Sequence, residues 1–132
     1  MHLLKTYIAA KIHGVHVTDK SVSYHGSISV GRALMEAAGI EEFEQVQVVN
    51  LRNGERWVTY AIAHEEDQAC TLNGGSALLG EIGDRCILMT YVTSDAFSPA
   101  HVIFCDENNH ITGHQEYLQK SDSAVALDSA YR

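Results

Sequence analysis

Gln45-Val46-Gln47-Val48-Val49-Asn50-Leu51-Arg52-Asn53-Gly54-Glu55-Arg56-Trp57-Val58-Thr59-Tyr60-Ala61-Ile62-Ala63 is the stretch whose reading decides the architecture. Two β-prone runs, Gln45 to Leu51 and Trp57 to Ala63, flank Arg52-Asn53-Gly54-Glu55. Asn-Gly between apolar runs is the strongest short-range signal for an antiparallel hairpin. Toward the N-terminus, Leu3 to Val17 is β-prone with a broken alternation, and Lys11 and His13 fall on one face of the expected strand. Thr18-Asp19-Lys20 reads as a turn cluster, and Val22 to Tyr24 then runs into a Gly26-Ser27 break. Gly31 to Ala38 reads as a short helix of good formers, stopped by Gly39, and Glu41, Glu42 and Glu44 are a solvated acidic run.

Toward the C-terminus, His64 to Gln68 reads as an exposed acidic loop. Cys70-Thr71-Leu72 leads into Asn73-Gly74-Gly75-Ser76-Ala77, a small-residue loop whose backbone can approach a ligand closely. Ile82-Gly83-Asp84 turns into Arg85 to Val92, a continuous apolar run expected to be buried on both faces. After a loop from Thr93 to Pro99, Val102 to Cys105 is expected as the last strand, closed by the turn Asp106-Glu107-Asn108-Asn109. From Thr112 to Arg132 the chain is polar and reads as a tail. Many short strands, one short helix and frequent turns predict an all-β domain of small α content, closed as a barrel.

Composition narrows the possible functions. At 132 residues the chain is one domain, residues 1–132, and 45% hydrophobic with 20% charged residues is ordinary globular usage. A formal charge of −8 argues against nucleic acid as the main partner, because phosphate binding needs clustered Lys and Arg. No run is long and apolar enough to be a membrane span, and the first ten residues lack a signal peptide's core and cleavage pattern. Cys70, Cys86 and Cys105 are odd in number and lack C-x-x-C spacing, which fits reduced thiols in a cytoplasmic core. The eight histidines form no ligating pattern: His110 and His114 have a four-residue spacing but flank Thr112-Gly113, read as a turn, so no metal is expected. Neither a Gly-x-Ser-x-Gly elbow nor a phosphate-cradling Lys-Ser/Thr pair is present.

Within Ser23-Tyr24-His25-Gly26-Ser27-Ile28-Ser29-Val30, Gly-Ser between β-forming runs is on its face a tight turn. It also carries a chemical option. Glycine tolerates strained backbone angles, and the serine after it can set its hydroxyl against the preceding carbonyl, the arrangement that self-cleavage needs.

Read together, Lys11-Ile12-His13, Tyr24-His25-Gly26-Ser27, Asn53 to Ile62 and Asn73 to Ala77 occur in the order and spacing of the pyruvoyl-dependent aspartate 1-decarboxylase family. Gly83-Asp84 and Val102 to Asn109 also resemble it, so the resemblance runs from about Lys11 to Ile111. It implies a double-psi β-barrel assembled as a homotetramer with active sites at subunit interfaces. It further implies self-cleavage between Gly26 and Ser27, giving a β chain of residues 1–26 and an α chain of residues 27–132, with a covalent pyruvoyl group formed from Ser27.

The implied reaction is α-decarboxylation of L-aspartate to β-alanine through a Schiff base, serving pantothenate and coenzyme A synthesis. The same resemblance gives Tyr60 the role of general acid and Thr59 that of polarising the Gly26 carbonyl during processing, besides meeting substrate. Lys11 and Arg56 are implied to hold substrate carboxylates, and Asn73, with the Gly74 and Gly75 backbone, to steady the negative charge formed on decarboxylation. His13, Tyr24 and Ser76 fall near the implied site, and some relatives need an accessory maturation factor. The chain departs from the family's usual Asn-Gly-Ala-Ala-Ala loop at Gly75 and Ser76, which enlarges one wall and adds a hydroxyl. Three other readings stay open at this point. One is a related decarboxylase acting on glutamate or a modified aspartate. Another is a hydrolase using a free N-terminal Ser27, and the third is an uncleaved β-barrel that serves as a binding module.

Overall fold

The hairpin expected around Asn53-Gly54 is present, with β4 (Gln45–Asn50) antiparallel to β5 (Arg56–His64) and Val48 opposite Trp57. Its connection is longer than a two-residue turn. The Asn50 carbonyl accepts from the Gly54 N–H at 2.8 Å, and Gly54 takes the left-handed backbone (φ 75°) that a side chain would resist. The structure, a computed structural model, describes residues 3–23 and 25–119.

Before the hairpin lie β1 (Lys5–His16), β2 (Asp19–Ser21), β3 (Ser27–Gly31) and α1 (Arg32–Ala38). After it come β6 (Cys70–Asn73), a 3₁₀ turn over Gly74–Leu78, β7 (Arg85–Ser94), β8 (Ala100–Cys105) and β9 (Ile111–Tyr117). Gly39 (φ 79°) ends α1, and the N–H groups of Gly39 and Ile40 close on the Glu36 and Met35 carbonyls.

Among the described residues the nine strands form one sheet, in the order β2-β6-β3-β5-β4-β7-β1-β8-β9. Most neighbours are antiparallel, but β3 runs parallel to β5, β1 to β8 and β2 to β6. The sheet wraps one core: Ile12 and Val15 of β1, Ile28 and Val30 of β3, Val46 and Val48 of β4, Ala61, Leu72, Leu88 and Ile103 meet in a single cluster capped by Leu34 and Met35 of α1. This is the all-β barrel of small α content that the sequence predicts, and its parallel crossovers are consistent with the double-psi connection. No described helix is long and apolar enough to cross a membrane. Burial pushes the Cys86 thiol up to about 12 and the Cys105 thiol up to about 11, and lifts Cys70 further still, so all three stay protonated inside the barrel.

Four local expectations are corrected. The turn cluster at Asp19-Lys20 is the short strand β2, formed because β6 offers it parallel backbone partners through Thr71, Leu72 and Asn73. Asn73 to Ala77 is not an open loop, since Gly74–Leu78 coils into the 3₁₀ turn. β7 buries Cys86, Leu88 and Thr90 while its alternate residues are half-buried or exposed, so it is covered on one face, as suits a strand with antiparallel neighbours on both sides. Finally, β8 is not the last strand. The polar segment from Thr112 to Tyr117 belongs to β9, whose polar residues are tolerated because it is an edge strand pairing with β8 alone in the sheet order. Thr112-Gly113 is accordingly extended strand and not a turn. The remainder of the expected tail, residues 120–132, lies outside the described residues.

A polar latch fixes the hairpin to the rest of the barrel. Asp84 is buried and accepts from Asn50 Nδ2 at 2.8 Å, Arg52 Nε at 2.6 Å and the Glu81 N–H at 2.8 Å. The Arg52 guanidinium and these donors hold its carboxyl far below the usual carboxylate range. The loop between β4 and β5 is thereby tied to the turn that precedes β7.

Candidate functional site

Strand alternation decides which side chains meet. Ile28 of β3 stands beside Ala61 of β5, and both point into the core. One step back along these parallel strands, Ser27 falls beside Tyr60, on the opposite face. On its other side Ser27 is registered with Asn73 of β6, and Tyr60 with Gln45 of β4. A row Asn73-Ser27-Tyr60-Gln45 therefore crosses four strands.

Within that row the Asn73 amide is committed to two hydroxyls. Its Nδ2 donates to Ser27 Oγ at 3.0 Å and to Ser29 Oγ at 2.9 Å. Ser27 is fully buried, Asn73 and Ser29 nearly so, which makes these bonds stronger and their loss more costly than at a wet surface. The Ser27 hydroxyl lies 3.4 Å from the His25 carbonyl, which it can reach as donor. Ser29 was not singled out by the sequence reading. The signal was there, since Ser27-Ile28-Ser29 with alternation puts both hydroxyls on one face.

Beside this row opens a cleft of about 530 Å³ lined by Gly26, Trp57, Val58, Thr59, Tyr60, Gly75, Ser76 and Leu79. It gathers five of the residues expected at the site: Gly26, Thr59, Tyr60, Gly75 and Ser76. A Cβ added at Gly26 or at Gly75 would meet no atom within 4 Å, so the bare walls there face open space. Gly74 (φ 60°) starts the 3₁₀ turn that carries Gly75 and Ser76 past the cleft. Trp57 closes one side, its Nε1 donating to Ser76 Oγ at 3.0 Å. Behind Tyr60 stands Phe43, with ring centroids 6.3 Å apart. Phe43 is held in left-handed backbone (φ 70°), with its N–H on the Ala61 carbonyl at 2.7 Å, a placement with no sequence signal.

Arg56 shares the face of Tyr60, four residues earlier on β5, and is exposed. Its Nη1 donates to Gln47 Oε1 at 3.3 Å, the same oxygen that takes the Tyr91 hydroxyl at 2.8 Å.

Lys11 and His13 do not join the cleft within one chain. Register links His13 to Ile87, Ile87 to Val49 and Val49 to Arg56, so three strand spacings, about 14 Å, separate the two ends of that row. Lys11 is buried, with its Nζ 3.1 Å from the Tyr117 hydroxyl and 5.5 Å from that ring's centre. His13 packs on Phe104 at 5.5 Å, and burial, with Lys11 and Arg85 nearby, lowers its pKa and favours the neutral ring. Tyr24, the remaining expected site residue, lies outside the described residues.

The family described as aspartate decarboxylase matches residues 3–112. A curated relative from Acaryochloris marina, named aspartate 1-decarboxylase, is 47% identical over 129 residues, covering 93% of this chain and 98% of its own length. Relatives of the same name from Campylobacter jejuni (strain RM1221) and Kosmotoga olearia are 45% and 46% identical, over 81% and 76% of this chain and 88% and 90% of their own lengths.

Proposed function

Because the chain belongs to the aspartate decarboxylase family, we propose that its cleft removes the α-carboxylate of L-aspartate as carbon dioxide and releases β-alanine. The observation that carries this reading is the buried Asn73-Ser27 bond at the edge of a cleft lined by Gly26, Thr59 and Tyr60.

The chemistry begins with the chain itself. Ser27 Oγ attacks the Gly26 carbonyl, the C–N bond opens, and an ester replaces the peptide link. Loss of the Ser27 α-proton and cleavage of Cβ–Oγ release residues 1–26 as a carboxylate and leave dehydroalanine. One water then expels ammonia, so the fragment of residues 27–132 begins with a pyruvoyl ketone. Thr59 polarises the carbonyl under attack, a role supported by its lining the same cleft as Gly26.

The residues at hand fit such a group. Elimination carries Oγ away on the Gly26 carboxylate, and the Asn73 amide, still bound to Ser29, regains one N–H for negative charge developing at position 27. The open walls at Gly26 and Gly75 leave room for an amino acid. A ketone there supplies an electron sink when carbon dioxide leaves, which no side chain of the twenty can do. Tyr60, next to position 27 in the row, donates the proton that returns to the former α-carbon. Arg56 meets a substrate carboxylate, for which its planar fork is suited, and the Gly74 and Gly75 backbone flanks the substrate.

Lys11 and His13 enter the reading through assembly. They stand on the same outer sheet face as Arg56 but too far from it, so we place them in the cleft of a neighbouring copy within a homotetramer. Val58 and Tyr91, exposed and apolar on that face, would be covered in the same contact. Light scattering is expected to return the mass of a tetramer, and a monomer would contradict this arrangement. The enzyme so assembled would act in the cytoplasm, supplying β-alanine for pantothenate, with a maturation factor as a further partner where cleavage is slow.

One experiment tests the whole reading. The purified chain is incubated with a panel of amino acids, carbon dioxide and amine are measured, and the larger fragment is weighed intact. Aspartate is expected as the preferred substrate, and the fragment should weigh one ammonia less than a chain beginning with serine. A fragment at the full serine mass would favour an N-terminal-nucleophile hydrolase. Preferred turnover of glutamate would instead favour the related decarboxylase that the bare Gly75 wall admits. For Arg56→Ala, KM for aspartate is expected to rise about ten-fold, the loss of one charge-assisted contact at an exposed site, while cleavage proceeds normally. An unchanged KM would remove Arg56 from substrate binding.

A further inference from the structure

Trp57 is the chain's single tryptophan, and it lines the cleft half-buried, its ring also packed on the barrel core. An indole has one hydrogen-bond donor, and here Nε1 spends it on Ser76 Oγ at 3.0 Å. Ser76 is itself buried, in the 3₁₀ turn that follows Asn73. The bond therefore ties the β5 wall of the cleft to the 3₁₀ turn that also lines it, next to Gly75, where no side chain fills the space. Without the Ser76 hydroxyl, the indole N–H would lose a buried partner and the ring would have a reason to turn toward water across the opening.

We propose that Ser76 is a positioning residue that holds the Trp57 indole as a fixed wall of the cleft, and that this wall sets the length of amino acid the cleft accepts. The proposal rests on the decarboxylase reading for its substrate, though not for the bond itself. A rigid wall discriminates between side chains that differ by one methylene. A ring free to swing does so less, because the longer substrate can displace it.

Because Trp57 is the sole tryptophan, its fluorescence reports this wall without labelling. The test compares cleaved wild type, Ser76→Ala and Ser76→Thr in emission maximum, acrylamide quenching, and kcat/KM for aspartate and glutamate. In Ser76→Ala, quenching is expected to rise about two-fold with a red-shifted emission. Its preference for aspartate over glutamate should fall roughly three- to ten-fold, the scale of one buried hydrogen bond. The change should lie in KM for glutamate more than in kcat for aspartate. Ser76→Thr, which keeps the hydroxyl, should restore both signals.

Trp57→Phe removes the donor from the other side, so its loss of preference should match that of Ser76→Ala and should not add to it in the double variant. Wild-type quenching in Ser76→Ala, or an unchanged preference despite altered fluorescence, would overturn the proposal. A wild-type chain that releases carbon dioxide from no amino acid would sink the decarboxylase reading instead. The quenching comparison would then still decide whether Ser76 holds the wall.

Discussion

Ser27→Ala is expected to leave a single band of full length on a denaturing gel after prolonged incubation, and to release no carbon dioxide from aspartate. Alanine has no nucleophile for the Gly26 carbonyl and no Oγ to eliminate, so neither cleavage nor the ketone can follow. The variant should still fold. Its Cβ suits a fully buried strand position between Ile28 and the Asn73 amide, and the cost is one buried Nδ2–H left without an acceptor, about 1–3 kcal/mol. A circular dichroism spectrum like that of wild type, beside total loss of both events, is the expected pair of results. Two bands, or any residual turnover, would show that the chain is cut or catalyses through another residue.

Tyr60→Phe should separate the two events. The ring stays, with its packing against Phe43, while the hydroxyl of the residue registered beside Ser27 is lost. The proposed cleavage uses Ser27, Gly26 and Thr59 and not the Tyr60 hydroxyl, so it should run to completion and give the same two fragments. Turnover needs a proton delivered to the former α-carbon, and removing a positioned general acid slows such steps by about 10²–10⁴-fold. The loss should appear in kcat with KM near its wild-type value, because the phenolic group enters after binding. Normal kcat in the fully cleaved variant would end the assignment of Tyr60 as the acid.

Those two experiments probe residues that the sequence exposed unevenly. The hairpin was legible because Asn-Gly and alternating apolar residues act locally, and the helix because Gly39 stops a run of good helix formers. β2 and β9 were not, since each depends on a distant partner: β2 on a parallel match with β6, and β9 on its place at the edge beside β8. No local pattern in Asp19-Lys20-Ser21 or in Thr112-Gly113-His114 encodes such a partner. The same distinction runs through the site. That Lys11 and His13 share a strand face could be read from spacing, whereas their separation from Arg56 by two intervening strands could not. Trp57 lay in plain view in the Arg56 to Tyr60 motif, but its bond to Ser76 joins residues on two elements that only the closed barrel brings together.

The position of β1 would govern the lifetime of the molecule once cut as proposed. β1 lies inside the sheet between β7 and β8 and sends Ala10, Ile12 and Val15 into the core, although the proposed cleavage after Gly26 would assign it to the separate fragment of residues 1–26. Before the cut, folding is an event within one molecule, with the loop to β3 already closed. After it, the two fragments of each barrel would behave as a non-covalent heterodimer whose reassembly depends on the product of their concentrations. With the proposed pyruvoyl end the peptide bond could not re-form, because a ketone would stand where the amine was. Maturation of that kind would turn a chain that can fold again alone into one whose persistence rests on how slowly β1 leaves the sheet, a rate and no longer an equilibrium of a single chain.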